Sequence, residues 1–273
     1  MSIKLIALDM DGTLLGADHR TVPAENVAAL REASRRGVKV AIASGRSWSL
    51  IHETAEELGC VDYGVTANGG YVLDAATGLA QVRSPMEAGL SLAVIDILRR
   101  RELYFEVYIN GKNYVQADDV EHLYQFALSE EFTGMFLRNM TVTQDMREVV
   151  RQHGVEKFDV FYVPPELRET VVAELTATGP MAYAAALDGN LELTAPGVNK
   201  GAALAALTEK LGIAPAEVMA FGDAGNDLEM LAWAEWSFAM ENGTDAAKGA
   251  ARYLAPPNYE GGVGRMVEKY VLK

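Results

Sequence analysis

Cysteine is nearly absent from this chain. Cys60 is the only one among 273 residues, so neither an internal disulfide nor a cysteine metal site can form. Cationic residues are also scarce. Lys and Arg total 24 against 38 Asp and Glu, a formal charge of −14 that disfavours nucleic acid and anionic membrane surfaces. No apolar run approaches the length of a bilayer span. The N-terminal run reaches Asp9 before a signal-peptide core develops, which together with the lone thiol makes a reducing cytoplasm the expected location. The four histidines, His19, His52, His122 and His153, show no spacing that suggests a zinc site or a catalytic triad. Neither a Gly-x-Gly-x-x-Gly after the first strand nor a P-loop lysine motif is present.

What remains is an ordinary globular composition, 49% hydrophobic and 23% charged. The opening third alternates β-branched runs with helical spacing, which predicts βαβ units and a parallel sheet. Strands are expected at Ile3–Leu8, Val38–Ala43 and Asp62–Thr66, with helices at Pro23–Arg36 and Ser47–Leu58. A hairpin through 71–73 and 81–83 then leads out of the first domain. Residues 84–195 read as an inserted α+β domain, with helical patterns near Met86–Arg101, Asp119–Leu128 and Pro165–Thr176. Its strand-like runs are Tyr104–Ile109, Lys157–Val163 and Leu191–Leu193. After Gly197 the α/β rhythm returns: helix Asn199–Leu211, strand Val218–Phe221, helix Asn226–Trp233, strand Trp236–Met240 and a closing helix Gly262–Tyr270. The expected fold class is therefore α/β, a Rossmann-like parallel-sheet core (1–83 and 196–273) interrupted by an α+β domain (84–195).

Four segments in this frame can carry chemistry. Asp9 and Asp11 end the first strand; side chains two apart in extended backbone share a face, so both carboxylates are expected to converge. They would hold a divalent ion or act as nucleophile and proton donor, although an Asp-Gly turn closing a strand uses the same residues. Ser44-Gly45-Arg46 lies between the second strand and its helix, where free N–H groups and a helix N-terminus suit a phosphate; a plain N-cap is the alternative. Lys200 stands in a first helical turn, against the helix dipole, so either a bound anion or a cluster of acids accounts for it, unless it is a surface lysine. Gly222-Asp223-Ala224-Gly225-Asn226-Asp227 again puts acids at a strand's carboxyl end, with oxygen donors that suit a hard ion such as magnesium.

Together these segments resemble the haloacid dehalogenase-like phosphatase superfamily. Asp9-Met10-Asp11-Gly12-Thr13 matches its first motif, Ser44 its second, Lys200 its third and Gly222–Asp227 its fourth. The position of the insert is similar to that of the branch with a C2B-type α+β cap. Asn68-Gly69-Gly70, Asn199-Lys200-Gly201 and Ala239-Met240-Glu241-Asn242 are similar to its Cof-type subgroup. The resemblance implies that Asp9 is the nucleophile and that Asp11 handles the proton. It implies that Ser44 and Lys200 hold the phosphoryl oxygens, helped by the Gly12 and Thr13 amides, with Gly45, Arg46 and Asn226 also on the substrate side. It implies Mg2+ at Asp9, Asp11 (through its carbonyl) and Asp223, completed or oriented by Asn226 and Asp227. The partner is then a small phosphorylated metabolite, with a sugar phosphate the expected class and a monomer or homodimer the expected assembly. A phosphomutase of the phosphomannomutase type and a non-catalytic phosphometabolite-binding protein are the alternatives. Tyr104, Tyr108, Tyr114 and Arg138 in the insert either contact an organic group or merely pack. Asn258–Val263 departs from the subgroup's acidic pattern, and the resemblance assigns that loop no role.

Overall fold

A computed structural model describes residues 2–126, 130–184 and 189–273. Strand β1 (Leu5–Leu8) is followed by a tight turn and then by α1 (Ala24–Arg35), β2 (Lys39–Ala43), α2 (Trp48–Leu58) and β3 (Tyr63–Thr66). Strands β4 (Tyr71–Asp74) and β5 (Ala80–Arg83) precede α3 (Ala88–Arg100), β6 (Phe105–Ile109), β7 (Lys112–Gln116) and a 3₁₀ stretch, Ala117–Phe126. Next come α4 (Glu130–Asn139), β8 (Thr141–Thr143), α5 (Met146–His153), β9 (Lys157–Val160), α6 (Pro165–Thr178), β10 (Ala182–Ala184) and β11 (Leu191–Thr194). The chain closes with α7 (Lys200–Leu211), β12 (Val218–Gly222), α8 (Leu228–Trp233), β13 (Trp236–Met240), α9 (Asp245–Ala250), β14 (Tyr253–Ala255) and α10 (Gly262–Val267). Among the described residues no helix is long and apolar enough to cross a membrane.

Two compact units emerge. The first comprises the chain up to Gly45, His52–Val82 and Asn199–Lys273; the second comprises Arg46–Ile51 and Arg83–Val198. The first turn of α2 thus groups with the second unit, where the sequence pattern put the whole helix in the first. The reason is local: Ser49 N–H donates to Gly111 O at 2.9 Å, and Leu50 packs with Val115 and Phe136.

The first unit is built on one eight-stranded sheet in the order β14-β13-β12-β1-β2-β3-β4-β5. Its pairs from β14 to β3 are parallel, and β3–β4 is antiparallel. β1 is fully buried, as a strand covered by helices on both faces must be, and its Leu-Ile-Ala-Leu run leaves no polar side chain inside. From β1 the chain winds outward through β2 and β3, then returns on the other side through β12, β13 and β14. The strand order therefore reverses between β1 and β12, and such a switch point opens a crevice at the carboxyl ends of the strands.

The second unit has a six-stranded sheet, β10-β11-β9-β6-β7-β8, antiparallel except for the β7–β8 pair. Phe105 and Val107 on β6, Phe158 and Val160 on β9, and Leu191 and Leu193 on β11 share a face packed with residues of α3 and α6, such as Val94, Leu98, Val171 and Leu175. The alternate positions are polar yet buried: Glu106, Lys157 and Glu192 are each under 5% exposed. The register sets Glu106 opposite Asp159, and Asp159 opposite Glu192, so three carboxylates line up across three strands. Lys157 donates to both Asp159 and Glu192. Glu106 accepts from Tyr108 Oη at 2.9 Å and from Asn113 Nδ2 at 2.7 Å. Burial, reinforced by Asp159, pushes the Glu106 carboxyl up to about 8.

Among the described residues of this unit, the helices α4 and α5 and the strands β7, β8 and β10 escaped the sequence pattern. α5 carried a readable start signal, because Asp145 is its N-cap and accepts from Glu148 N–H at 3.0 Å. The helix expected at Asp119–Leu128 is 3₁₀ up to Phe126, and its remainder lies outside the described residues. The closing helix is α-helical only to Val267 and continues as a π turn, Glu268–Leu272.

Candidate active site

Asp9 is the first residue beyond β1, and its N–H still donates to Phe221 O of β12 at 3.0 Å. It therefore sits at the switch point, beside Asp223, which follows β12. After Asp9 the backbone curls: Asp11 keeps φ −76°, ψ 119°, and Gly12 takes φ +80°. Only glycine fits at position 12, since a Cβ there would lie 2.4 Å from Asp223 Oδ2 in addition to the left-handed φ. Thr13, fully buried, donates its hydroxyl to Asp223 Oδ1 at 2.8 Å.

Lys200 is held by the start of α7. Asn199 caps that helix, its side chain accepting from Ala202 N–H at 2.7 Å. Gly201 lets α7 press against α8, where a Cβ would come within 2.6 Å of Glu229 C. The lysine side chain is fully buried, and Nζ donates to Asp9 Oδ1 at 2.6 Å and Asp227 Oδ1 at 2.7 Å. It is thus not a surface lysine; the cluster of acids accounts for its place. Asp227 is saturated from within the protein, because its Oδ2 accepts from the N–H groups of Asp223 and Ala224 at 2.9 and 3.1 Å.

Asp9, Asp223 and Asp227 each present an oxygen within 4.8 Å of the others. Two further carboxylates gather on Asp9 from the loop after β12, those of Asp223 and Asp227. Both Asp9 and Asp11 lie beyond the last residue of β1, in the turn that follows it. Two of the three carboxylates, Asp9 and Asp227, share the buried Lys200 ammonium. Burial, together with Asp227 and Asp223 and against the pull of Lys200, holds the Asp9 carboxyl well above the usual carboxylate range. Burial likewise lifts Asp223 to about 6 despite its Thr13 hydrogen bond. Lys200 lies above its ordinary value because Asp227 and Asp9 outweigh its burial. All-oxygen donors with an excess of negative charge form a set that a hard divalent ion neutralises.

Ser44 follows β2, the other neighbour of β1, and is buried. The first helical residue is Trp48, so Ser44 lies outside α2 and is not its N-cap. Its backbone is fixed on both sides, by Ser44 N–H to Val65 O and by Asn68 N–H to Ser44 O. Gly45 is shaped by Asn68, whose Oδ1 would stand 2.9 Å from a Cβ, and Arg46 is half-buried in the second unit. Asn226 donates to Asn68 Oδ1 at 3.3 Å, which draws its amide toward the Ser44 side. In the second unit, Tyr104 stacks on His122 at 4.5 Å, and Tyr108 is buried with its hydroxyl on Glu106.

Sequence reasoning gave Asn68 no role beyond a turn and left Asn242 and Asn258 without one. Asn68 is buried at φ +55°, a conformation that asparagine tolerates better than most residues.

Residues 6–267 match the family described as haloacid dehalogenase-like hydrolase. The chain is 32% identical over 272 residues to the 5-amino-6-(5-phospho-D-ribitylamino)uracil phosphatase YcsE of Bacillus subtilis, covering 100% of this chain and 97% of that protein. It is 32% identical over 290 residues to the Escherichia coli phosphatase YbjI, of the same named activity, again covering 100% and 97%. A haloacid dehalogenase-like hydrolase from Bacteroides thetaiotaomicron superposes with TM-score 0.83 at 25% identity, over 98% of this chain and 99% of that one. The chain belongs to the haloacid dehalogenase-like hydrolases and is a phosphatase of their Cof-type group.

Proposed function

We propose that the chain is a magnesium-dependent phosphatase acting on a small phosphorylated metabolite, with Asp9 as nucleophile. The observation that carries this reading is the grip of Lys200 on Asp9 and Asp227 at the sheet's switch point, with Asp223 alongside. Asp9 and Asp223, with the Asp11 carbonyl, would hold Mg2+, while Asp227 orients Lys200 and the Asp223 backbone. The ion supplies charge that lets an anionic carboxylate approach an anionic ester.

The protein's own groups divide the remaining work. An Asp9 carboxylate oxygen attacks phosphorus, the ester oxygen departs, and an aspartyl-phosphate forms. Asp11 gives the leaving oxygen its proton, then takes one from the water that attacks phosphorus and frees Asp9. Ser44, the Gly12 and Thr13 amides and Lys200 stabilise the charge on the transferring oxygens, with Gly45, Arg46 and Asn226 on the substrate side. The second unit, read as a C2B-type cap spanning 84–195, chooses the organic group.

The substrate class is a sugar phosphate or a related phosphorylated polyol. The two relatives at 32% identity act on 5-amino-6-(5-phospho-D-ribitylamino)uracil, whose ester belongs to that class. A panel of that compound, hexose phosphates and pentose phosphates, assayed with and without Mg2+, tests the reading. Free phosphate released only with Mg2+ supports it. Isomer in place of free phosphate would assign a phosphomutase, and binding without turnover a non-catalytic protein.

A further inference from the structure

The turn after Asp9 is short, and its internal closure is slight: Leu14 N–H to Asp9 O at 3.2 Å and Leu15 N–H to Met10 O at 3.0 Å. Three asparagine amides from distant segments complete it. Asn242 Nδ2 donates to Gly12 O at 2.7 Å, Asn258 Nδ2 to Leu15 O at 2.7 Å, and Asn26 Nδ2 to Leu14 O at 3.3 Å. Each amide is itself fixed through its oxygen or by its setting. Asn258 N–H donates to Asn242 Oδ1 at 2.9 Å, and Gly264 N–H to Asn26 Oδ1 at 2.7 Å. Asn26 and Asn258 are buried, whereas Asn242 is exposed.

The loop from Asn258 onward is pressed into place by its glycines. A Cβ on Gly262 would stand 1.9 Å from Pro256 O, and one on Gly264 2.6 Å from Glu25 O. So the segment to which the family pattern gave no role is packed to deliver Asn258 to Leu15 and, through Asn242, to Gly12. The peptide group is planar, so anchoring the Gly12 carbonyl also fixes the direction of the Thr13 N–H on the same plane. Gly12, free to rotate through left-handed φ, is the point where that plane would otherwise drift.

We infer that Asn242 and Asn258 are positioning residues: a two-amide relay that sets the Gly12–Thr13 peptide plane for phosphoryl transfer. This rests on the reading of Asp9 as nucleophile, with the Thr13 N–H facing the transferring group. Neither asparagine touches Asp9, Asp223 or Asp227 in the contacts described, so they act through the backbone they hold.

The test uses Asn242→Ala and Asn242→Asp in the full chain, with Asp9→Asn as control. Asn242 is exposed, so the fold is expected to survive; Asn242→Asp keeps the acceptor for Asn258 N–H, while a charged carboxylate oxygen replaces the donor that holds Gly12 O. Both variants are expected to lower kcat about tenfold with KM within about twofold, the split of a lost orientation rather than lost binding. Amide hydrogen exchange over residues 10–16 should speed up about tenfold in both while other segments keep their rates, a change that needs no turnover to be seen. Asp9→Asn should abolish turnover and leave that exchange unaltered, which separates failure of the chemical reading from failure of this one. Unchanged exchange over 10–16 in the Asn242 variants overturns the inference, whether or not esters are hydrolysed. So does a folded Asn242→Asp protein with wild-type kcat.

Discussion

The ammonium of Lys200 lies 2.6 Å from Asp9 Oδ1, with both side chains buried and the lysine drawn equally toward Asp227. A cation so placed cannot be removed without leaving two carboxylates in a poorly solvated crevice. Lys200→Met in metal-free protein is expected to cost about 3–5 kcal/mol of stability, the range for breaking one side of a buried ion pair. Urea unfolding in the presence of a chelator measures it. A loss below about 1 kcal/mol would mean that water reaches the acids more freely than their burial indicates.

Excess carboxylate at Asp9, Asp223 and Asp227 makes the folded state a ligand for a divalent cation. At a hundred times its Kd, Mg2+ should stabilise the chain by about 2.7 kcal/mol, seen as a higher thermal midpoint that a chelator reverses. Asp223→Ala should remove most of that response. An equal response in Asp223→Ala would place the ion elsewhere.

Gly12→Ala probes the turn itself. The added methyl meets Asp223 Oδ2 at 2.4 Å on a backbone held at φ +80°. Activity should fall by about a hundredfold or more, since a shift of about 1 Å at a reacting centre has that effect. Steady-state turnover beside the thermal midpoint measures both outcomes, and near-wild-type turnover would show that the turn relaxes without consequence.

A pH effect is expected within the second unit. The carboxyl of Glu106 titrates near 8 in the folded chain, pushed up by burial and by Asp159, against about 4.3 when unfolded. The folded state therefore holds a proton that the unfolded state releases. This contribution to stability is fully present below about pH 4.3 and is lost as pH rises toward 8. Glu106→Gln keeps the shape without the titration, so its stability relative to the parent should climb across pH 5 to 9. A difference that stays flat over that window would contradict the assignment.

The sequence revealed the core more readily than its support. β1, β12 and Lys200 were readable because buried parallel strands are continuous apolar runs and because a lysine at a helix start is anomalous enough to need a reason. Asp227 as the partner of Lys200, and Asn242 and Asn258 as anchors of the Asp9 turn, were not readable. Such contacts join residues 27, 230 and 243 positions apart, and no local periodicity reports them. The polar face of the second sheet was visible in the alternation Phe-Glu-Val-Tyr-Ile at 105–109. That alternation ordinarily marks a solvated face, and only the structure shows Glu106, Asp159 and Glu192 side by side, with Glu106 and Glu192 buried and Asp159 half-buried.

Transfer of the phosphoryl group to Asp9 is tested by removing its carboxylate. The direct measurement is phosphate release with saturating Mg2+ from the best ester of the panel, by the wild-type chain and by folded Asp9→Asn. With Asp9 as nucleophile, kcat should fall by about 10⁴-fold or more, the scale seen when a nucleophile is removed. Equal phosphate release by the two proteins would contradict it.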